Sequence, residues 1–206
     1  DELSIRALNL NWTRDHFSIT VGAQEVAWGE TFGFFISDLV NPRNLRDPLF
    51  NELNWIREPT TIINTQFFLG KLNLQFILTP VPRNNDFPES IDGISVLEPR
   101  EFSLDRPIQD AEYGIRAGYL FDSGFDLSTF YFRHWNRNPV FTPRISNGEL
   151  VLDPIVERTH SFGASFSQTL SDWVFRGDTV LHVDMPLPEQ RTVSQSILGT
   201  DFRTED

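Results

Sequence analysis

Apolar and polar residues alternate along this chain in four paired stretches, each pair joined by a very short polar turn. Ser4–Trp12 and Phe17–Trp28 are split by Thr13-Arg-Asp-His16, and Thr60–Leu69 and Lys71–Thr79 by Gly70. Ala111–Phe121 and Phe125–Trp135 are split by Asp122-Ser-Gly124, and Arg158–Leu170 and Trp173–Met185 by Ser171-Asp172. A period of two is the signature of strands with two unlike faces. Leu72, Leu74, Phe76 and Leu78 oppose Lys71, Asn73, Gln75 and Thr79, while Tyr113, Ile115, Ala117, Tyr119 and Phe121 oppose Glu112, Gly114, Arg116 and Gly118. Each stretch runs about 9 to 13 residues, beyond the usual globular strand of about 5–6. A tilted strand needs about 9–11 to cross a membrane.

The connections sharpen this reading. Links within pairs hold one to four residues, whereas those between pairs span 29–59, 80–110 and 136–157. Short turns at one end and long loops at the other belong to an up-and-down transmembrane barrel. Aromatic residues flank the stretches, with Trp12, Phe17, Phe125 and Trp173 near the short turns and Trp28 and Trp135 near the long loops. Two interfacial girdles are expected there, because an amphipathic ring is most stable at headgroup depth.

Composition narrows the classes further. The 206 residues carry 17 Lys plus Arg against 29 Asp plus Glu, a formal charge of −12 that argues against a nucleic-acid partner. There is no cysteine, so neither a disulfide framework nor a thiolate metal site can form. No apolar run is long enough for a transmembrane helix. The first residues, Asp1-Glu-Leu-Ser4, carry no signal-peptide pattern, and any export signal is expected to have been removed. Aromatics reach 13% while mean hydropathy stays negative at −0.28, which fits a β-protein with one greasy and one polar face.

Val21-Gly-Ala-Gln-Glu-Val-Ala-Trp-Gly-Glu30, followed by Asp38-Leu-Val-Asn-Pro-Arg-Asn-Leu-Arg-Asp47, resembles a large, poorly characterised family of Gram-negative outer-membrane porin-like barrels. In that family a Gly-Arg-Gln-type strand runs into Trp-Gly-Glu and an Asn-Pro-Arg/Asp-aspartate loop; here Ala23 stands in place of the arginine. His160–Ser167 and Trp173–Asp178 are similar to later strands of the family. The resemblance implies an outer-membrane location and passage of apolar or lipid-like cargo, with an inner-membrane exporter or a periplasmic carrier as a further partner. It also implies that these residues form part of a longer member.

The polar faces define a candidate pore wall of Asn9, Gln24, Gln66, Lys71, Gln75, Glu112, Arg116, Arg176, Asp178, His182 and Asp184. Such a wall tunes conductance and selectivity, or is simply a self-paired interior. The stretch Thr31–Pro59 is too apolar for a loop in water and is expected either to fold into the barrel or cap its mouth as a gate, with Phe34, Phe35, Asn41, Pro42, Arg43, Arg46, Asp47 and Trp55 as its candidate residues, or to dock on a neighbouring loop. The loop 80–110 is acidic and reads as a solvated face, with divalent bridging to lipopolysaccharide as the sharper alternative. Asp178, His182 and Asp184 on one strand face, with His160 and Ser161 on its partner, could form an acid–histidine–serine set, but nothing around Ser161 resembles a nucleophile elbow.

The expectation is therefore an all-β, antiparallel, up-and-down transmembrane β-barrel of about eight strands, or an arc of a larger one, forming a single domain over residues 1–206. Its strand pairs would occupy 4–28, 60–79, 111–135 and 158–185. It would contact outer-membrane lipid and lipopolysaccharide, pass a small or lipid-like molecule without catalysis, and require no cofactor or metal. A structural anchor or adhesin acting through external loops is the alternative, because an eight-strand interior is filled by side chains. A soluble β-sandwich binding module is the lesser one.

Overall fold

The computed structural model describes residues 8–31, 36–46, 57–91 and 93–185. Eight of its strands form one sheet: β1 (Leu8–Arg14), β2 (Phe17–Gln24), β3 (Thr60–Leu69), β4 (Leu72–Thr79), β7 (Glu112–Leu120), β8 (Asp126–Trp135), β11 (Arg158–Leu170) and β12 (Trp173–Val183). Every neighbouring pair is antiparallel and the strands follow chain order across the sheet. Hairpins occupy 8–24, 60–79, 112–135 and 158–183; of the expected first pair, residues 25–28 leave the sheet and 4–7 lie outside the described residues. Among the described residues the sheet ends at β1 and β12 and does not close on itself.

Short turns work because the chain supplies residues that tolerate positive φ. Asp15 (φ 47), Gly70 (φ 64), Gly124 (φ 77) and Ser171 (φ 53) occupy the four hairpin corners.

The long connections hold more structure than expected. β5 (Ser90–Ile91) and β6 (Ile94–Val96) precede a short helix, α1 (Pro107–Asp110), and β9 (Val140–Ser146) and β10 (Glu149–Ile155) follow β8. Together the four strands form a second sheet in the order β5-β6-β10-β9, whose β6–β10 pair is parallel. Asn147 (φ 53) and Gly148 (φ 85) turn the β9–β10 hairpin. This Asn-Gly pair is among the strongest short hairpin signals, and it stands where the sequence reading placed a loop.

The two faces of the large sheet differ as the alternation requires. One face is open and apolar, with Leu10, Trp12, Phe76, Ile115, Phe162, Phe175 and Leu181 all exposed. The other is covered by the chain's own connection after β2, which turns inward after Gln24. Val26, Trp28 and Val40 of that connection pack with Ile62, Ile77, Phe130 and Phe132 of the wall, with Leu39 and Val180 against them.

This corrects two girdle assignments. Trp28 is 1% exposed, at the centre of that cluster, 5.0 Å from the Phe130 ring and 5.5 Å from Phe132. A Cβ added at Gly114 would lie 2.7 Å from the Trp28 ring, so only glycine lets the indole lie against β7. Trp135 is also buried, held between the guanidinium groups of Arg100 (4.3 Å) and Arg158 (4.0 Å), and it donates its indole N–H to the Asp110 carbonyl at 2.8 Å. Both tryptophans lie where a neighbouring connection folds over the sheet, so strand position alone misplaced them. At the short-turn end the rings do gather on the open face: Trp12–Phe17–Phe67–Phe76 and Tyr119–Phe121–Phe125–Phe166 form two continuous chains of contacts.

Candidate functional site

The covered face is a hydrogen-bonded wall carrying a docked segment. Trp28 donates its indole N–H to Gln75 Oε1 (2.9 Å), Gln75 donates to Asn64 Oδ1 (3.0 Å), and Asn64 donates to Gln24 Oε1 (3.2 Å). Gln24 in turn donates to the Ile62 carbonyl at 2.9 Å. Four buried or half-buried amide and indole groups thereby satisfy one another, which is the condition for burying them at all. The arrangement ties the docked indole to β4, β3 and β2.

Two side chains hold the segment in place. Asn41 accepts the Val26 N–H (2.6 Å) and donates to the carbonyls of Gln24 (3.0 Å) and Glu58 (3.1 Å), joining three stretches of chain. Asp178 on β12 accepts the backbone N–H groups of Glu30 and Thr31, each at 3.1 Å, and the Thr31 hydroxyl. Replacing Asp178 with alanine is expected to cost about 1.5 kcal/mol in a denaturant titration, the low end for bonds to a charged acceptor, because solvent reaches this site. The same variant should expose residues 25–31 to limited proteolysis.

Toward the long connections the interior becomes ionic. Glu112 is fully buried, with Arg137 Nη2 2.5 Å from its Oε2 and the Trp135 N–H 2.9 Å from its Oε1. Arg137 also donates to the Leu39 carbonyl at 2.9 Å, so the pair reaches the docked segment. Asp38 pairs with Arg57, and its carbonyl accepts from Arg43 at 2.9 Å. Burial lowers the Arg43 pKa from its ordinary value, with Asp38 acting in the opposite sense. A cavity of about 50 Å³ lies here, bordered by Asp38, Arg43, Asn85, His134, Arg137 and Thr159. It is far below the roughly 300–1,000 Å³ of a drug-sized ligand site. Three atoms of its lining residues, Asp38 Oδ1, Arg137 Nε and Thr159 Oγ1, have no hydrogen-bond partner among the described residues. A wider cleft of about 570 Å³ opens outside, between 81–89 and 96–102, with Arg46 on its rim.

The serine expected beside His160 and His182 meets His182 and a second histidine, His134, but not His160. Ser161 Oγ lies 2.7 Å from His182 Nδ1 and 2.7 Å from His134 Nε2, while His134 Nδ1 faces the Trp135 carbonyl at 2.8 Å. A carbonyl only accepts, so His134 carries its proton on Nδ1, accepts from the serine through Nε2, and leaves the serine oxygen to accept from His182. Ser161 is fully buried. His160 points to the open face instead, with its Nδ1 2.8 Å from the Tyr131 hydroxyl. Sequence reasoning missed His134, although its alternation with Phe130 and Phe132 puts it on the covered face.

The remaining candidates are spread along the wall and beyond it. Gln66 stands beside Gln75 in register, and Arg116 lies 3.6 Å from Glu30. Arg176, in register with Ser167, is exposed, and Asn9 lies on the edge strand with its amide 3.3 Å from the Ala23 carbonyl. Two candidates leave the wall. Lys71 sits in a short turn and pairs with Asp122 of the next turn, and Asp184 lies past the end of β12 with φ 60. Of the gate residues, Asn41 and Pro42 are buried, Arg43 is half-buried and Arg46 is exposed; Phe34, Phe35, Asp47 and Trp55 lie outside the described residues. The acidic loop is not uniformly solvated, because Asp110 is fully buried between Arg100 (2.8 Å) and Arg106 (3.3 Å). Among the described residues no three His, Asp or Glu side chains converge as a metal set would.

These features define an all-β protein in which one antiparallel meander has an open apolar face and a polar face occupied by its own connection. The chain belongs to the family described as "Protein of unknown function (DUF1302)", which it matches over residues 8–201. No curated protein and no solved structure matches it.

Proposed function

We propose that this sheet is a lipid-facing arc of a porin-like barrel in a bacterial outer membrane, and that its polar face lines a route for a small or lipid-like molecule. The carrying observation is the pairing of opposite faces on one continuous meander. Leu8 (70%), Leu10 (76%) and Trp173 (72%) stay exposed on the apolar side while polar Gln75, Glu112 and Ser165 are buried on the other. A soluble sandwich would bury its apolar face. From Tyr113 to Phe121 the open face runs nine residues between polar-tipped and aromatic rows, the length a tilted crossing requires. The docked residues 25–31 and 36–46 narrow the route, and the proposed passage involves no catalysis. Outer-membrane lipid and lipopolysaccharide are its immediate surroundings in this reading, and an exporter or carrier would supply or collect the cargo.

The second reading is a structural anchor or adhesin, favoured by the filling of the covered face around Trp28 and by the folded second sheet in the long connections. The test is a comparison of boiled and unboiled samples from an outer-membrane fraction, followed by solute uptake into reconstituted vesicles. A heat-modifiable band with uptake above empty vesicles is expected. Insertion without uptake would favour the anchor, and recovery as soluble protein without detergent would overturn both membrane readings.

A further inference from the structure

The open face carries almost no charge along its length, and where charge occurs marks a site. Among the described strand residues of this face, the only ionisable cationic side chains are Arg14 beside a short turn and Arg133, Arg158 and His160 at the long-connection end. Arg158 is satisfied within the fold, stacked on Trp135 and donating to the Ala111 carbonyl at 2.9 Å. Arg133 is different. It is half-buried, its guanidinium lies 5.5 Å from the Tyr113 ring centre, and it takes part in no ion pair among the described residues. Sheet register puts Tyr113, Arg133 and His160 side by side on β7, β8 and β11. Tyr131 is one row nearer the middle of the sheet, with its hydroxyl on His160 and its ring stacked on that imidazole at 6.0 Å.

We infer that Arg133, His160, Tyr131 and Tyr113 form a binding site for the phosphate of an anionic lipid, at the headgroup level of the long-connection side. This inference rests on the membrane reading above. The chemistry is specific to that ligand class. A guanidinium offers a planar fork of donors that matches phosphate oxygens, the Tyr113 hydroxyl adds another, and the bonded Tyr131–His160 pair adds one more, the tyrosine O–H or the imidazole Nε2–H according to the tautomer. Arg158 and Arg133 are diagonal neighbours across β8 and β11, so their charges repel, and an anion beside them offsets that repulsion. Directly below lie Ile115, Phe162 and Leu181 in register, an apolar floor for acyl chains. A free phosphate ion would use the donors alone, whereas a lipid-borne phosphate also lays its acyl chains on the adjoining floor, which is why the lipid is the occupant.

The purified full chain is reconstituted into phosphatidylcholine vesicles and challenged with alkaline carbonate. It is then titrated in detergent micelles with phosphatidic acid, phosphatidylcholine and inorganic phosphate, and the bound species are counted by native mass spectrometry. Resistance to carbonate and a preference for phosphatidic acid over phosphatidylcholine are expected. Arg133→Gln should lower that preference about fivefold, the contribution of one basic residue at an anionic surface. Arg133→Lys should keep part of it, and Arg14→Gln should leave it within about twofold. Heat-modified gel mobility of each variant establishes that it folds. Carbonate extraction of the wild-type chain would overturn both this inference and the membrane reading. Insertion without lipid preference, or an unchanged preference in Arg133→Gln, would overturn the lipid site alone. Inorganic phosphate binding as tightly as phosphatidic acid would also overturn it, leaving a plain anion site.

Discussion

Replacing Trp28 by alanine is expected to lower folding stability by about 3–5 kcal/mol, the range for emptying a buried aromatic position. Three effects act together there. The indole fills the space between Gly114, Phe130 and Phe132. Its N–H is the first donor in the amide series through Gln75, Asn64 and Gln24, so Gln75 Oε1 loses its partner inside a site of low exposure. The covering segment also loses its central apolar contact. Trp28→Phe should restore most of the packing but not the hydrogen bond, and should fall between wild type and alanine. Denaturant titration in micelles measures the loss. Vesicle uptake gives the functional half: if the segment narrows a passage, Trp28→Ala raises flux. Uptake unchanged, in a variant that still inserts, would mean that the segment closes nothing.

Removing the carboxylate of Glu112 while keeping Arg137 should be comparably damaging, at about 3–5 kcal/mol, because it strands a buried cation. Glu112 is fully buried and Arg137 is 8% exposed, so solvent cannot replace the lost partner cheaply. Glu112→Gln can still accept the Trp135 N–H but cannot neutralise Arg137. The paired substitution Glu112→Leu with Arg137→Met should recover part of the loss, since an apolar pair of similar volume avoids the desolvation of two charges. A paired variant no more stable than Glu112→Gln would mean that the bonds to Trp135 and Leu39, rather than charge pairing, dominate this corner.

The hairpins of the large sheet were legible in the sequence because their physics is local. Alternation assigns faces, and Asp15, Gly70, Gly124 and Ser171 supply the turn conformations at the places where alternation resets. The covered face was legible as a polar set, and Gln24, Gln75, Glu112 and Asp178 do stand on it. What they touch was not legible. Pairing of Asp178 with Glu30 and Thr31 depends on a connection crossing the sheet, and pairing of Ser161 with His134 depends on the β8–β11 register. Neither is fixed by a single sequence. The β9–β10 hairpin is another matter, since Asn147-Gly148 between alternating residues was a local signal. It was overshadowed by the expectation that long connections in a barrel are irregular. Trp28 and Trp135 were misplaced for a related reason, because a tryptophan at a strand end suits an interface and a covered core equally well.

The docked segment also carries a temporal consequence. Its fastenings are spread across the chain: Asn41 lies 15 residues from Val26, Trp28 lies 47 from Gln75, and Asp178 lies 148 from Glu30. Contacts of such unequal separation cannot form together, because closing a longer loop costs more entropy and more time. In the order that loop closure sets, the Asn41 contact with Val26 forms first and the Gln75 contact next. The Asp178 clasp must wait for the last hairpin. Docking is therefore completed only after β12 is in place, so this covering of the polar face closes later than the hairpins beneath it.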